Sequence, residues 1–310
     1  MLILVTGATG AVGRHLVDTL LTKEATVRAL TRSPEKADLP TQVQLVEGDL
    51  SDPASLTIEA FQDVDRAFVF PAEGVEHFVE AAVAAGVRRF TVLSSLAAAM
   101  EFPRDVGSAS QLHHSAVESA VTSRTHEWTI LRPGSFANNL LSWAWQISSG
   151  APIRAPHLDS AQAPIHEFDV AEAAATTLLQ DEWLGQTIAL TGPQALTRTE
   201  QVAAIGTALG RDIPLVEITP DEFRSEVAEF VPEPIVKMLL AYWSDTMTEP
   251  EVARPASRGL IGRPGRTLRS GPATTPRTSP TDRREPRAVH LARGSRRQST
   301  SPATRRCRPP

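Results

Sequence analysis

Tyrosine and cysteine each occur once in this chain, as Tyr242 and Cys307, and lysine occurs only at positions 23, 36 and 237. A solitary cysteine excludes a disulfide framework and a cysteine-clustered metal site, and it suits a reducing, cytoplasmic setting. His113 and His114 are adjacent, not spaced i,i+4 as a helical metal pair would be, so no metal is expected. Apolar runs stay short of the ~18 residues a membrane-crossing helix needs. The first apolar run is too brief and too quickly broken by glycines to be a secretory leader. A soluble cytoplasmic protein is expected.

Aromatic residues are also missing after Trp243. Residues 251–310 hold fifteen arginines, nine prolines and three acids (Glu251, Asp282, Glu285). The first 250 residues therefore hold 16 basic and 33 acidic groups and carry about −17, while the tail carries about +12. Such a segment has too little apolar surface to offset its ordering entropy, and disorder is expected over 251–310. An arginine-rich tail would suit nucleic acid or an acidic membrane. The same lysine-free mixture is what a GC-rich gene yields out of frame, and a shifted or unselected reading frame is the favoured reading. Neither nucleic acid nor membrane is expected as a partner.

What the chain does have stands at its start. The run Leu2-Ile3-Leu4-Val5 is followed by Thr6-Gly7-Ala8-Thr9-Gly10-Ala11-Val12-Gly13 and then by the helix-like Arg14-His15-Leu16-Val17-Asp18-Thr19-Leu20-Leu21. Strand, glycine-rich turn and helix in this order let backbone approach a pyrophosphate and aim free helix N–H groups at it. Dinucleotide binding is expected, with Thr6, Gly7, Thr9, Gly10, Ala11, Val12, Gly13 and Arg14 in or beside the loop.

Apolar runs then alternate with helical patterns. Strands are expected at 2–6, 26–31, 44–47, 66–70, 89–94, 128–132 and 187–191, and helices at 12–21, 53–61, 74–85 and 111–123. The fold class is α/β, a doubly wound parallel sheet. A dinucleotide-binding core over 1–135, completed by 167–191, is expected to carry a small, mostly helical substrate-binding part from 136–166 and 192–250 at the carboxyl edge of the sheet.

The end of the second strand discriminates between cofactors. An acid there would bind the adenosine ribose hydroxyls, whereas arginine favours a 2′-phosphate. The chain reads Arg28-Ala29-Leu30-Thr31-Arg32-Ser33, so Arg32, with Thr31 and Ser33 as hydroxyl donors and Arg14 beside the glycine loop expected to assist at the phosphate, predicts NADPH. After the third strand, Asp49 either takes the adenine amino group, with Leu50 against the ring, or caps a helix beginning near Pro53. The adenine role is preferred.

Six motifs in order, Thr-Gly-Ala-Thr-Gly-x-x-Gly, Glu-Gly-Asp-Leu, Val-Arg-Arg-Phe-Thr-Val-Leu-Ser-Ser, Thr-Ile-Leu-Arg-Pro-Gly-Ser-Phe-Ala-Asn-Asn, Phe-Asp-Val-Ala and Leu-Thr-Gly-Pro, resemble the NmrA-like branch of atypical short-chain dehydrogenase/reductases over roughly residues 1–250. The resemblance implies an extended Rossmann fold binding NAD(P)H. The branch includes quinone and azo-type reductases, ketoreductases of aromatic polyketide pathways such as the angucyclinone type, and dinucleotide-sensing regulators. It also implies that Phe70, Pro71, Pro133 and Phe136 flank the nicotinamide and that Ser94 and Ser95 stand at the family's serine position.

Most such relatives add Tyr-x-x-x-Lys on the next helix. Here Ser110 and His114 stand at those places, and neither the lone tyrosine nor any lysine lies nearby in sequence. Ser95 is then the expected donor to a developing oxyanion, with His113, His114, the substrate or water supplying the proton. His114 is also a candidate ribose contact. Asn138, Asn139, Trp143 and His157, with Ser95 and Phe136, are expected to hold a flat polycyclic aromatic ketone or quinone. The leading reading is an NADPH-dependent reductase, monomeric or homodimeric. A general quinone oxidoreductase and a sensor without turnover are the alternatives.

Overall fold

The computed structural model describes residues 1–254 and 256–268. Its strands are β1 (Leu2–Thr6), β2 (Thr26–Thr31), β3 (Gln44–Glu47), β4 (Arg66–Val69), β5 (Arg89–Leu93), β6 (Glu127–Pro133), β7 (Ile153–Ala155), β8 (Ala161–Gln162), β9 (Gln186–Leu190), β10 (Leu196–Thr197) and β11 (Leu215–Glu217). Its helices are α1 (Ala11–Thr22), α2 (Ile58–Phe61), α3 (Val75–Ala84), α4 (Ala109–Thr122), α5 (Ala144–Ser149), α6 (Glu167–Leu179), α7 (Arg198–Leu209), α8 (Pro220–Val227), α9 (Glu233–Thr248) and α10 (Ala256–Ile261). No helix among the described residues is long and apolar enough to cross a membrane.

All five residues of β1 are buried, and alternate side chains of a strand face opposite ways, so β1 must be covered on both faces. Ile3 and Val5 join Leu16, Val17 and Leu20 of α1 and Val170, Ala174 and Leu178 of α6 in one core layer. Leu2 and Leu4 join Phe78 and Val79 of α3 and Val117 and Val121 of α4 in the other. The sheet has seven parallel strands in the order β3-β2-β1-β4-β5-β6-β9. The chain leaves β1 in one direction and returns at β4 to continue in the other, a switch of the kind that opens a ligand crevice at the carboxyl ends of the strands.

The expected substrate-binding part adds an antiparallel β8–β10 pair, a parallel β7–β11 pair and helices α5 and α7 to α9. A small cluster of Trp143, Ile153, Ala155 and Val202 forms its centre. The single helix expected over 53–61 divides instead into a tight turn, Pro53–Ser55, and the short α2. The Ser55 hydroxyl donates to the carbonyl oxygens of Asp49 and Asp52 at 3.0 and 2.7 Å, an alternative to helix propagation that serine side chains readily take.

Residues 251–268 correct the expected boundary of the tail. Glu251 accepts the Ala163 N–H at 2.8 Å, the Arg254 N–H donates to Thr191 Oγ1 at 2.8 Å, and the Arg254 guanidinium pairs with Glu101. Leu260 of α10 is buried in the main core, and Arg263 and Arg266 pair with Asp169 and Glu172 of α6. Bulk composition missed this segment because specific ion pairs and one buried leucine hold it. The remaining tail expectation, with Cys307, falls outside the described residues.

Candidate functional site

The glycine loop needs glycine at two positions, for different reasons, and is closed by a backbone bond at the third. Gly7 has φ +63°, and a Cβ on it would stand 2.8 Å from Phe70 Cγ. The Gly10 N–H donates to Gly7 O at 2.9 Å, closing the turn. A Cβ on Gly13 would lie 2.1 Å from Gly7 O, so only glycine lets α1 pack against the loop. No side chain caps α1, which leaves the N–H groups of its first turn, from Ala11 and Val12 onward, available to an anion.

Thr6 and Arg14 act on the loop. Thr6 is fully buried; its hydroxyl donates to Phe68 O at 3.0 Å and accepts the Phe70 N–H at 2.7 Å, tying β1 to the end of β4. The Arg14 guanidinium donates to the carbonyl oxygens of Thr9, Asp38 and Ala37 at 3.0, 2.7 and 2.9 Å. The expected assistance to a phosphate is thus replaced by a staple between the glycine loop and the segment after β2. The Val12 side chain belongs to the core.

A cavity of about 340 Å³ runs from Gly7 and Thr9 past Thr31 and Arg32 to Asp49, Leu50 and Phe70. Arg32 is exposed and makes no hydrogen bond or ion pair among the described residues. Asp49 accepts from the Ser51 N–H at 3.0 Å and the Ser51 hydroxyl at 2.8 Å, and these bonds, with Arg32 nearby, hold its carboxyl below the usual carboxylate range. Asp52, not Asp49, caps the turn at Pro53, so the capping alternative for Asp49 falls away. Ser33 sits half-buried at the start of the next turn, its N–H 3.4 Å from Thr31 Oγ1. A cradle that a Cβ would fill, open helix N–H groups and an unpaired guanidinium suit a dinucleotide with a 2′-phosphate.

A second cavity, of about 720 Å³, lies at the carboxyl ends of β5 and β6, on the same sheet edge as the first. Ser95 and Asn139 line it. Ser94 does not: it is buried, and its hydroxyl donates at 2.5 Å to Glu118, which holds Arg132 through two bonds of 2.8 and 2.7 Å. The buried carboxylate therefore uses Ser94 as a brace and leaves Ser95, whose Oγ accepts the Ala97 N–H at 3.3 Å, with a hydroxyl proton free for a ligand.

Neither histidine lines this cavity. His113 is exposed, with its ring 5.2 Å from that of His114. Burial, and secondarily His113, pull the His114 imidazole down to about 4 against an opposing pull from Glu118, and its Nδ1 is buried without a partner. His114 is therefore neutral near pH 7 and holds no imidazolium proton in store. Between pH 6.5 and 4 the unfolded chain binds a proton there that the folded chain refuses, so stability must fall as pH falls through that window. The loss amounts to at most about 3 kcal/mol. Urea unfolding of the wild type and of His114→Gln at pH 7 and pH 4.5 measures it; the variant should lose distinctly less stability on acidification.

The aromatic residues expected around the substrate are used elsewhere. Trp143 is buried in the small cluster, and Arg198 is sandwiched between Trp143 and Trp243, its Cζ 5.4 and 4.0 Å from their ring centroids. Trp145 is exposed, and His157, with φ 53°, contacts Met247 Sδ at 3.1 Å. Phe136 packs on the main core, Asn138 is half-buried, Pro133 is buried in β6 opposite Leu190, and Pro71 is half-buried beside Phe70. The walls of the larger cavity come instead from segments that sequence spacing gave no reason to choose. These include Arg104, Lys237, Met238 and Tyr242, and Glu251 in the segment after α9. The lone tyrosine and one of the three lysines, distant from Ser95 along the chain, are thus brought to the same cavity.

A family profile described as NAD(P)H-binding matches residues 7–181. The (4-alkanoyl-5-oxo-2,5-dihydrofuran-3-yl)methyl phosphate reductase of Streptomyces griseus is 34% identical over 86% of this chain and 95% of its own. The NAD(P)H azoreductase of Xenophilus azovorans is 31% identical over 71% of this chain and 78% of its own. An Escherichia coli NADPH-dependent quinone oxidoreductase solved with NADPH shares the fold, with a TM-score of 0.74 over 86% of this chain and 97% of its own at 23% identity. The glycine cradle lies within the matched residues, and the chain belongs to the NAD(P)H-binding family.

Proposed function

We propose that this chain is an NADPH-dependent reductase of the atypical short-chain dehydrogenase/reductase type, acting on a quinone or on a ketone conjugated with an aromatic ring system. One observation carries the reading. The mainly apolar cavity lined in part by Ser95 opens on the same sheet edge as the groove holding the unpaired Arg32. NADPH supplies hydride when bound, and the chain's residues position the two reactants. The glycine loop and the first turn of α1 hold the pyrophosphate, Arg32 holds the 2′-phosphate, and Asp49 with Leu50 holds the adenine. The Ser95 hydroxyl donates to the oxygen that gains charge. A cavity of this size lies within the range of about 300–1,000 Å³ typical of small-molecule sites and would admit a polycyclic, polyketide-like compound. The reductases among its relatives support the same reaction class.

The test is NADPH consumption with a panel of naphthoquinones, anthraquinones and aromatic ketones. Tight NADPH binding without turnover of any member would leave the dinucleotide sensor as the better reading. Arg32→Ala tests the cofactor assignment on its own. Loss of a charge-assisted contact worth about 1.5–3 kcal/mol should weaken NADPH binding roughly ten- to a hundredfold and leave NADH binding nearly unchanged. Titrating both dinucleotides by calorimetry distinguishes this from a general loss of the groove.

A further inference from the structure

Arg198 opens α7 directly after β10, and it is only 5% exposed. An arginine buried so deeply normally meets a carboxylate or several carbonyl oxygens, because it has given up the water that solvated its charge. Arg89, 3% exposed, follows that rule: its guanidinium donates to Asp181 and to the carbonyl oxygens of Thr177 and Gln180. Arg198 does not. Its guanidinium makes no hydrogen bond or ion pair among the described residues.

What lies against it is aromatic. The Arg198 Cζ stands 4.0 Å from the ring centroid of Trp243 and 5.4 Å from that of Trp143. Such contacts offset part of the lost hydration, but they satisfy none of the five N–H donors of the fork. Burial alone pulls the guanidinium down to about 10, and no carboxylate acts on it. Glu217, the acid that acts on nearby His157, receives the Leu158 N–H at 3.4 Å. At neutral pH Arg198 is therefore a buried cation without a counter-charge. The end of the fork is nevertheless within reach. Nε is sealed from water without a partner, whereas Nη1 and Nη2, which also lack partners, are not sealed. Trp243 and His157 are half-buried and Met247, against His157, is exposed, so this edge lies just beneath the surface.

We propose that the open edge of the Arg198 guanidinium is a binding site for an oxyanion, the carboxylate or phosphate group of a small molecule, distinct from both cavities. None of Arg198, Trp143, Trp243 and His157 lines either cavity. A guanidinium presents parallel N–H donors that match the oxygens of such a group, and the bound group supplies the acceptors and the negative charge that the fold leaves out. Trp243 belongs to α9, which walls the larger cavity through Lys237, Met238 and Tyr242, so a ligand held here sits beside the helix that shapes that cavity. The proposal does not depend on the reductase reading.

The five tryptophans of the chain give five indole N–H resonances, and none of them lines the nucleotide groove. Inorganic phosphate added to the full chain at pH 7 should move the resonances of Trp143 and Trp243 saturably and leave those of Trp128 and Trp183 in place. Sodium chloride at equal ionic strength should move none, and phosphate settling at the glycine loop would move none. Acetate titrated in parallel separates a carboxylate site from a phosphate site; saturable movement with either anion supports the proposal. Arg198→Met keeps a side chain of similar reach without the charge and should weaken binding of the effective anion at least tenfold. If that variant does not fold, Arg198→Lys, which keeps the charge without the fork, should weaken it about tenfold. Trp143 and Trp243 resonances that stay still with both anions, that move equally with chloride, or that respond with wild-type affinity in the folded variant overturn the proposal.

Discussion

Gly13→Ala is expected to remove NADPH binding and to lower the melting temperature by about 6–9 °C. The added methyl would lie 2.1 Å from Gly7 O and 2.8 Å from Ala8 Cα, both backbone atoms, so no side-chain rotation relieves the overlap. Either α1 moves off the loop or the loop opens. Overpacking usually costs about 1–3 kcal/mol, and a backbone obstacle places this case at the upper end. At roughly 2–3 °C per kcal/mol for a domain of this size, that gives the stated shift. Opening the turn also breaks the bond from the Gly10 N–H to Gly7 O and misaligns the N–H groups that would meet the pyrophosphate. Thermal unfolding with and without NADPH separates the two effects. A variant still stabilised by NADPH to the wild-type extent would show that the close contact between α1 and the loop is dispensable.

Asp169→Ala is the second large effect, and it acts at a residue that does not line the groove. The Asp169 side chain is 1% exposed and accepts from the Arg266 N–H at 2.6 Å, the Arg266 guanidinium at 2.5 Å and the Arg263 guanidinium at 2.9 Å. Alanine leaves two half-buried cations facing Glu172 alone and the Arg266 N–H without its carboxylate acceptor. Breaking a buried pair on one side costs about 3–5 kcal/mol, and partial exposure of both arginines reduces that to about 2–4 kcal/mol. The segment 263–266 should detach from α6 and loosen Leu260 from the core. A lower urea midpoint and faster tryptic cleavage after Arg263 and Arg266 are the expected readouts. An unchanged midpoint would mean that these ion pairs contribute no stability.

The elements legible in the sequence were those whose signals are local. The glycine loop, the exposed arginine at the tip of β2 and strands such as β1 and β2 depend on residues adjacent in the chain, and their bounds agree with the structure to within a residue. Tertiary competition hid the rest. Nothing local distinguishes a tryptophan that lines a cavity from one that packs on Arg198, and Trp143 and Trp243 do the latter. Nothing near Arg14 shows that three carbonyl oxygens will engage its guanidinium before a phosphate can. Tyr242 became visible only when α9 was found along the cavity at the ends of β5 and β6, because its distance from Ser95 along the chain carries no signal.

The two cavities draw on different stretches of polypeptide. The nucleotide groove is made by residues 7–73, and much of the wall of the larger cavity by residues 234–254. Substitutions along α9 can therefore alter which molecule is accepted while the cofactor cradle stays intact, so acceptance of new compounds and retention of the electron donor can evolve as separate traits in one chain.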